Sequence, residues 1–166
     1  MANMTARVQR KRINLDHLKE GIVRVGWFDN MFYDEGTPVA AVARWNEYGT
    51  PNAKYPIPPR PFVRPVVHGK QHLIQEKLRD LYLTAVRNNT NTMTALEIFG
   101  EYVSELIRRQ IDLTVSPANA PITLKGGWLR SKSGKPFYVH PKRGSHPLKD
   151  TGVLQDSVSY QAEEKM

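Results

Sequence analysis

Two histidines four residues apart, His68 and His72, come closest to a metal-binding pair in this chain. On one helix that spacing brings both imidazoles to the same face, where they can share an ion. No third ligand completes a set, because the nearest acid is Glu76 and no HExxH pattern occurs. A solvated helix face is the simpler reading. Asp150-Thr-Gly152 matches the aspartic-protease turn, in which paired carboxylates share a proton. It follows Lys149 instead of an apolar strand, and three letters recur easily by chance. Gly69-Lys70 lacks the further glycine and hydroxyl residue of a phosphate-binding loop, and no GxSxG elbow is present. Without cysteine, thiolate catalysis, disulfides and cysteine-based metal sites are excluded. No active site assembles, so the expectation is a non-enzyme with no cofactor and no metal.

The stronger chemical signal is charge. The 166 residues carry 24 Lys/Arg against 16 Asp/Glu, a formal net charge of +8. Residues 1–20 contribute +3, residues 21–116 only +1, and residues 150–166 contribute −3. The remaining +7 lies in residues 117–149, where Lys125, Arg130, Lys132, Lys135, Lys142, Arg143 and Lys149 occur with no acid among them. Gly, Pro and Ser recur through the same stretch, which therefore reads as a loop or arm and not as a binding helix. Trp128, Phe137 and Tyr138 alternate with the cations, as in surfaces that contact phosphates and stack on bases. The two apolar runs flanking Ser131-Lys-Ser-Gly134 also read as a β-hairpin able to dock on a neighbouring subunit. Subunit contact, a passive cationic surface and nucleic-acid contact all fit, with subunit contact first.

These residues need a frame to hold them. The length suits one domain with one core, at 40% hydrophobic residues and 24% charged. No apolar run reaches the ~18 residues of a membrane span, and the basic N-terminus is followed by no apolar signal core, so a soluble, unsecreted protein is expected. Residues 21–28 are β-branched and aromatic and end at Asp29-Asn30, which predicts a strand and a turn. Thr37 and Pro38 suit the N-cap and first position of a short helix that Gly49 would end. Six prolines between Pro51 and Pro65 make the next segment a stiff loop. From Val66 to Ser116 no proline intervenes and the apolar residues take a helical period, predicting two amphipathic helices joined at Asn88-Asn-Thr-Asn-Thr92. Residues 153–162 read as a strand, or a short helix leading into one. The expected fold is α+β: a small antiparallel sheet with two long helices on one face and an extended basic arm or hairpin. Trp45, Tyr48 and Phe62 are expected to anchor the short helix and proline loop in the core. Arg60 and Arg64, held by the prolines around Phe62, present guanidinium groups to a carboxylate, with Glu47 a candidate and an intrachain pair ranked above an intersubunit one.

Four segments together resemble a known family. They are Val23-Arg-Val-Gly-Trp-Phe28, Ala40-Ala-Val-Ala-Arg-Trp-Asn-Glu-Tyr-Gly-Thr50, Ile57-Pro-Pro-Arg-Pro-Phe-Val-Arg64 and Pro147-Leu-Lys-Asp-Thr-Gly-Val-Leu-Gln-Asp-Ser157. In order and spacing they resemble the tail-completion and neck proteins of tailed bacteriophages, which are non-enzymatic virion proteins. The resemblance implies a subunit made in the host cytoplasm that forms a ring at the head–tail junction, with six copies favoured over twelve. It implies partners in the head connector and in tail terminator or tail tube proteins, contact with packaged DNA in the lumen, and no membrane. Arg60, Arg64, Lys125, Trp128, Arg130, Lys132, Lys135, Lys142 and Arg143 are the candidate contacts to subunit or DNA. The arm between Pro121 and Pro147 matches the family least. The alternative from another class is a basic nucleic-acid-binding protein that uses residues 117–149.

Overall fold

A computed structural model describes residues 19–165. The basic N-terminal extension therefore lies outside the described residues, apart from Lys19 and Glu20. Strand β1 (Gly21–Gly26) pairs antiparallel with the C-terminal strand β4 (Ser159–Glu164), from Gly21 opposite Glu164 to Gly26 opposite Ser159. Between them run α1 (Val39–Tyr48), α2 (Arg64–Gly69), α3 (Gln71–Asn88), α4 (Thr92–Leu113), α5 (Pro121–Lys125), the hairpin β2 (Gly127–Arg130) and β3 (Pro136–Val139), and α6 (Val153–Asp156). The fold is α+β, as the pattern predicts.

A two-stranded ribbon is marginal on its own and needs a helix to cover its apolar face. Here α4 lies against both β1 and β4, and α3 packs along α4. Along β1 burial alternates, with Ile22 and Arg24 exposed and Val23 and Val25 half-buried. Along α4, Leu96, Val103, Ile107 and Ile111 are buried at the seven- and four-residue spacings that keep to one helix face. Val103, Ile107 and Ile111 form one cluster with Val39, Ala43, Phe62, Val66, Leu148, Leu154 and Val158. Residues from both ends of the described chain thus share one core, to which the hairpin segment contributes none.

Local chemistry sets the element ends. Asn89 closes α3 in the left-handed conformation, and the Asn91 carboxamide accepts the Met93 N–H at the start of α4. Thr92, fully buried, ties the two layers together: its hydroxyl accepts the Lys19 N–H at 2.8 Å and donates to the Lys19 carbonyl at 2.9 Å.

Three expectations need correction. Thr37 does not cap α1. Pro38 occupies the N-cap position, and the Val39 N–H that a cap would serve donates to the Met31 carbonyl at 3.0 Å, because residues 31–38 fold back into a small loop. The helical run after the proline loop begins at Arg64 and breaks at Lys70, giving α2 and α3. That break places His68 and His72 on different helices, and among the described residues no group of three acidic or histidine side chains could hold a metal ion. The arm is not all loop and ribbon either, since one helical turn, α5, leads into the hairpin.

The layers meet closely at Gly100, where a Cβ would lie 2.6 Å from the Tyr160 ring. An alanine there gains about 1 kcal/mol of helix propensity but forces the stem of a packed side chain to move, which costs ~1–3 kcal/mol. We expect Gly100→Ala to lower stability by about 1 kcal/mol in urea denaturation; an unchanged or raised midpoint would show that α4 and β4 approach less closely.

Candidate functional site

The proline loop returns across the C-terminal end of α1, and the functional candidates are arranged around that contact. The last turn of a helix leaves carbonyls without partners. In α1 the Asn46 carbonyl accepts the Arg60 N–H at 2.6 Å, and the Glu47 carbonyl accepts from Arg64 Nη2 at 2.7 Å. The start of α2 has the opposite need, with N–H groups unserved. Glu47 meets it: Oε2 accepts from Phe62 N at 2.7 Å and Val63 N at 2.9 Å, while Oε1 accepts from Arg64 N at 3.0 Å and Arg64 Nε at 2.9 Å. One buried carboxylate thus joins two helices.

Burial alone would raise the Glu47 pKa. The backbone donors of Val63 and Phe62, then the Arg64 side chain and backbone, outweigh it and hold the carboxyl below its ordinary value. The favoured intrachain pairing of Arg64 with Glu47 is present, and the Arg64 guanidinium also lies 5.0 Å over the Tyr48 ring.

Arg60 is not a free contact residue. Only 4% exposed, it donates from Nε to the Pro117 carbonyl at 2.6 Å and from Nη2 to the Ala118 carbonyl at 3.0 Å, so it joins the proline loop to the beginning of the arm. Burial lowers its pKa. Lys142 is likewise used internally, with Nζ donating to the His146 and Pro147 carbonyls at 2.8 Å each, and burial is the main influence lowering its pKa. Lys149 pairs with Asp112 at the end of α4, where Gln155 of α6 also donates to the Asp112 carboxylate.

The other arm cations face outward. Lys125, Arg130, Lys132, Lys135 and Arg143 are exposed, and Trp128 stands 71% exposed beside Tyr138. Of the three expected core anchors only Phe62 is buried, edge-on to Trp27 at 5.5 Å. Trp45 and Tyr48 are 42% and 60% exposed. Val39, Ala43 and Glu47 occupy the inward face of α1 at four-residue spacing, which turns both aromatics outward around a surface depression shared with Arg44 and Gly49.

No family model, curated protein or solved structure matches the chain. Its chemistry must be read from its own residues. Asp150, in the protease-like triplet, accepts the Arg143 N–H at 3.1 Å, and Gly152 caps α6. Sequence reasoning missed Glu47 as a cap for α2. The signal available was its place four residues beyond Ala43 on the face that starts at Val39.

Glu47→Ala should cost about 3 kcal/mol in denaturant unfolding, since it orphans buried donors, whereas Arg64→Ala should cost roughly 1 kcal/mol because three backbone donors still hold the carboxylate. With its folded pKa depressed, Glu47 contributes stability that is complete above the ordinary carboxylate range and is lost as pH falls through the depressed value. Glu47→Gln should therefore flatten the acid limb of the stability profile, and an unchanged limb would remove Glu47 from this role.

Proposed function

We propose that this chain is a structural virion protein of the phage neck, a subunit of a closed ring that joins or completes the head–tail junction and lets DNA pass through its lumen. The observation that carries this reading is convergence. Of the four segments that resemble the tail-completion and neck family, the fourth lies about 80 residues beyond the third, yet all four pack against one another. Trp27 of the first donates its indole N–H to the Leu154 carbonyl of the fourth at 2.8 Å and stacks edge-on against Phe62 of the third. Glu47 of the second binds the backbone of the third. Motifs that jointly build one core are better support for a family likeness than the same short matches scattered over a surface.

The surfaces left over suit a ring subunit. Closed rings repeat one heterologous contact, in which two different faces of each copy meet. Trp45 and Tyr48 form one outward aromatic patch, and Trp128 with Tyr138 on the outer face of the hairpin forms another. Aromatics beside arginine are the residue types enriched at interface centres. Partners in this reading are further copies of the chain, the head connector, and tail terminator or tail tube proteins.

Native mass spectrometry of the full-length protein, alone and extracted from virions, tests the proposal. A closed oligomer, with six copies favoured over twelve, is expected; a monomer at every concentration together with absence from the virion neck by electron microscopy would end it. Trp45→Ser with Tyr48→Ser should shift melting little, because both rings are exposed, yet weaken assembly by ~2 kcal/mol or more per contact. Assembly unchanged in that variant would remove the α1 patch from the ring contact.

A further inference from the structure

The hairpin does not project freely. Its back rests on the tip of the proline loop: Phe137 meets Tyr55 edge-on at 6.4 Å, Lys54 Nζ donates to the Ser131 carbonyl at 3.0 Å, and Lys132 Nζ donates to the Asn52 carbonyl at 3.3 Å. The Tyr55 hydroxyl also accepts the Arg130 N–H at 3.3 Å. Between the two lies a groove of about 710 Å³ lined by Lys54, Tyr55, Trp128, Leu129, Arg130 and Pro136. Two aromatic rings, two cations and no carboxylate line it. From Trp128 the aromatic surface continues to Tyr138 at 5.4 Å and on to His140 at a further 5.1 Å. At the turn, Lys132 and Lys135 add two more exposed cations.

We propose that this groove binds a single-stranded nucleic acid, with bases stacked on Trp128 and Tyr55 and phosphates held by Lys54, Arg130, Lys132 and Lys135. Each repeat of such a strand offers a flat π face and one negative charge, the pair of features the groove answers. The four cations retain donors for phosphate. Lys54 and Lys132 each spend one ammonium hydrogen on a carbonyl, and Arg130 Nη1 donates only to Gly134, out of three and five donors respectively. A single strand fits better than a duplex, because the docked back face stops the ribbon from entering a major groove and paired bases present no free ring face. The groove's chemistry does not depend on ring formation, so the two proposals can fail separately.

Fluorescence anisotropy of full-length protein with a labelled oligothymidylate of about 16 nucleotides, beside a duplex of equal length, tests the proposal. Four phosphate contacts at about −0.7 each give a salt slope near −2.8, or roughly a 50-fold loss of affinity from about 50 to 200 mM salt. Trp128→Ala, at an exposed position that should not affect folding, should weaken strand binding roughly 5- to 150-fold at unchanged slope, by the loss of one stacked base. Lys132→Ser with Lys135→Ser should reduce the slope by about 1.4. Absence of strand binding, equal affinity for the duplex, or a Trp128→Ala protein that keeps full strand affinity would overturn it. So would a Trp128→Ala protein that loses self-association alone, which would assign the groove to a second copy. A ring with no strand affinity sinks only the groove; a monomer that binds the strand sinks only the ring.

Discussion

The Glu47 carboxylate is the constraint on which the rest of the structure depends. It sits where the end of α1 and the start of α2 are each completed, because one helix end lacks donors and the other lacks acceptors. A carboxylate inside a protein is costly unless hydrogen-bonded on both oxygens, and this one is, by three backbone N–H groups and a guanidinium. The prolines matter through the same geometry. With Pro58, Pro59 and Pro61 fixing φ, the loop reaches Phe62 with little conformational freedom left to lose, and the three consecutive N–H groups at residues 62–64 arrive already aimed.

That junction then positions the core. Phe62, whose own N–H is tied to the Glu47 carboxylate, enters the cluster with Val39, Val66 and Ile111 and meets Trp27. Trp27 in turn reaches the Leu154 carbonyl, so the clamp is felt at α6 and at the start of β4 beyond it. A polar interaction therefore fixes the register in which an ordinary apolar core closes. Apolar contacts are non-directional and tolerate several packings, whereas a carboxylate with four donors tolerates one.

How far the sequence discloses this depends on which physical signal each part carries. Residues 92–113 disclose α4 fully, because Leu96, Val103, Ile107 and Ile111 repeat an apolar stripe over about four turns. The hairpin is disclosed by alternation around a Ser/Gly turn. The short helix α1 is disclosed in its extent but not in its buried face, because in ten residues that face is only Val39 and Ala43 and its third member is an acid. A pattern rule that sends charges outward puts Trp45 and Tyr48 inward in its place, and the structure reverses both. Arg60 fails for a similar reason: an arginine in a stiff loop reads as presented, and only the three-dimensional return of residues 117–118 shows that backbone carbonyls have claimed it. Polar burial is a property of partners distant in sequence.

The same sorting changes the meaning of the basic arm. Its charge of +7 suggests one cationic surface, but Lys142 and Lys149 fasten the arm's return to its own backbone and to the end of α4, while Arg60 fastens its beginning. Both roots of the hairpin are thereby fixed to the body of the protein, and its back is held by Lys54 and Tyr55. An arm fixed at three points loses little conformational entropy when something binds its remaining face. Of the cations left outward, Arg130, Lys132 and Lys135 stand on the hairpin, whose roots and back are held. Charge that would be diffuse on a flexible loop is thus concentrated beside Trp128, where a ligand meets the aromatic ring and the positive field together.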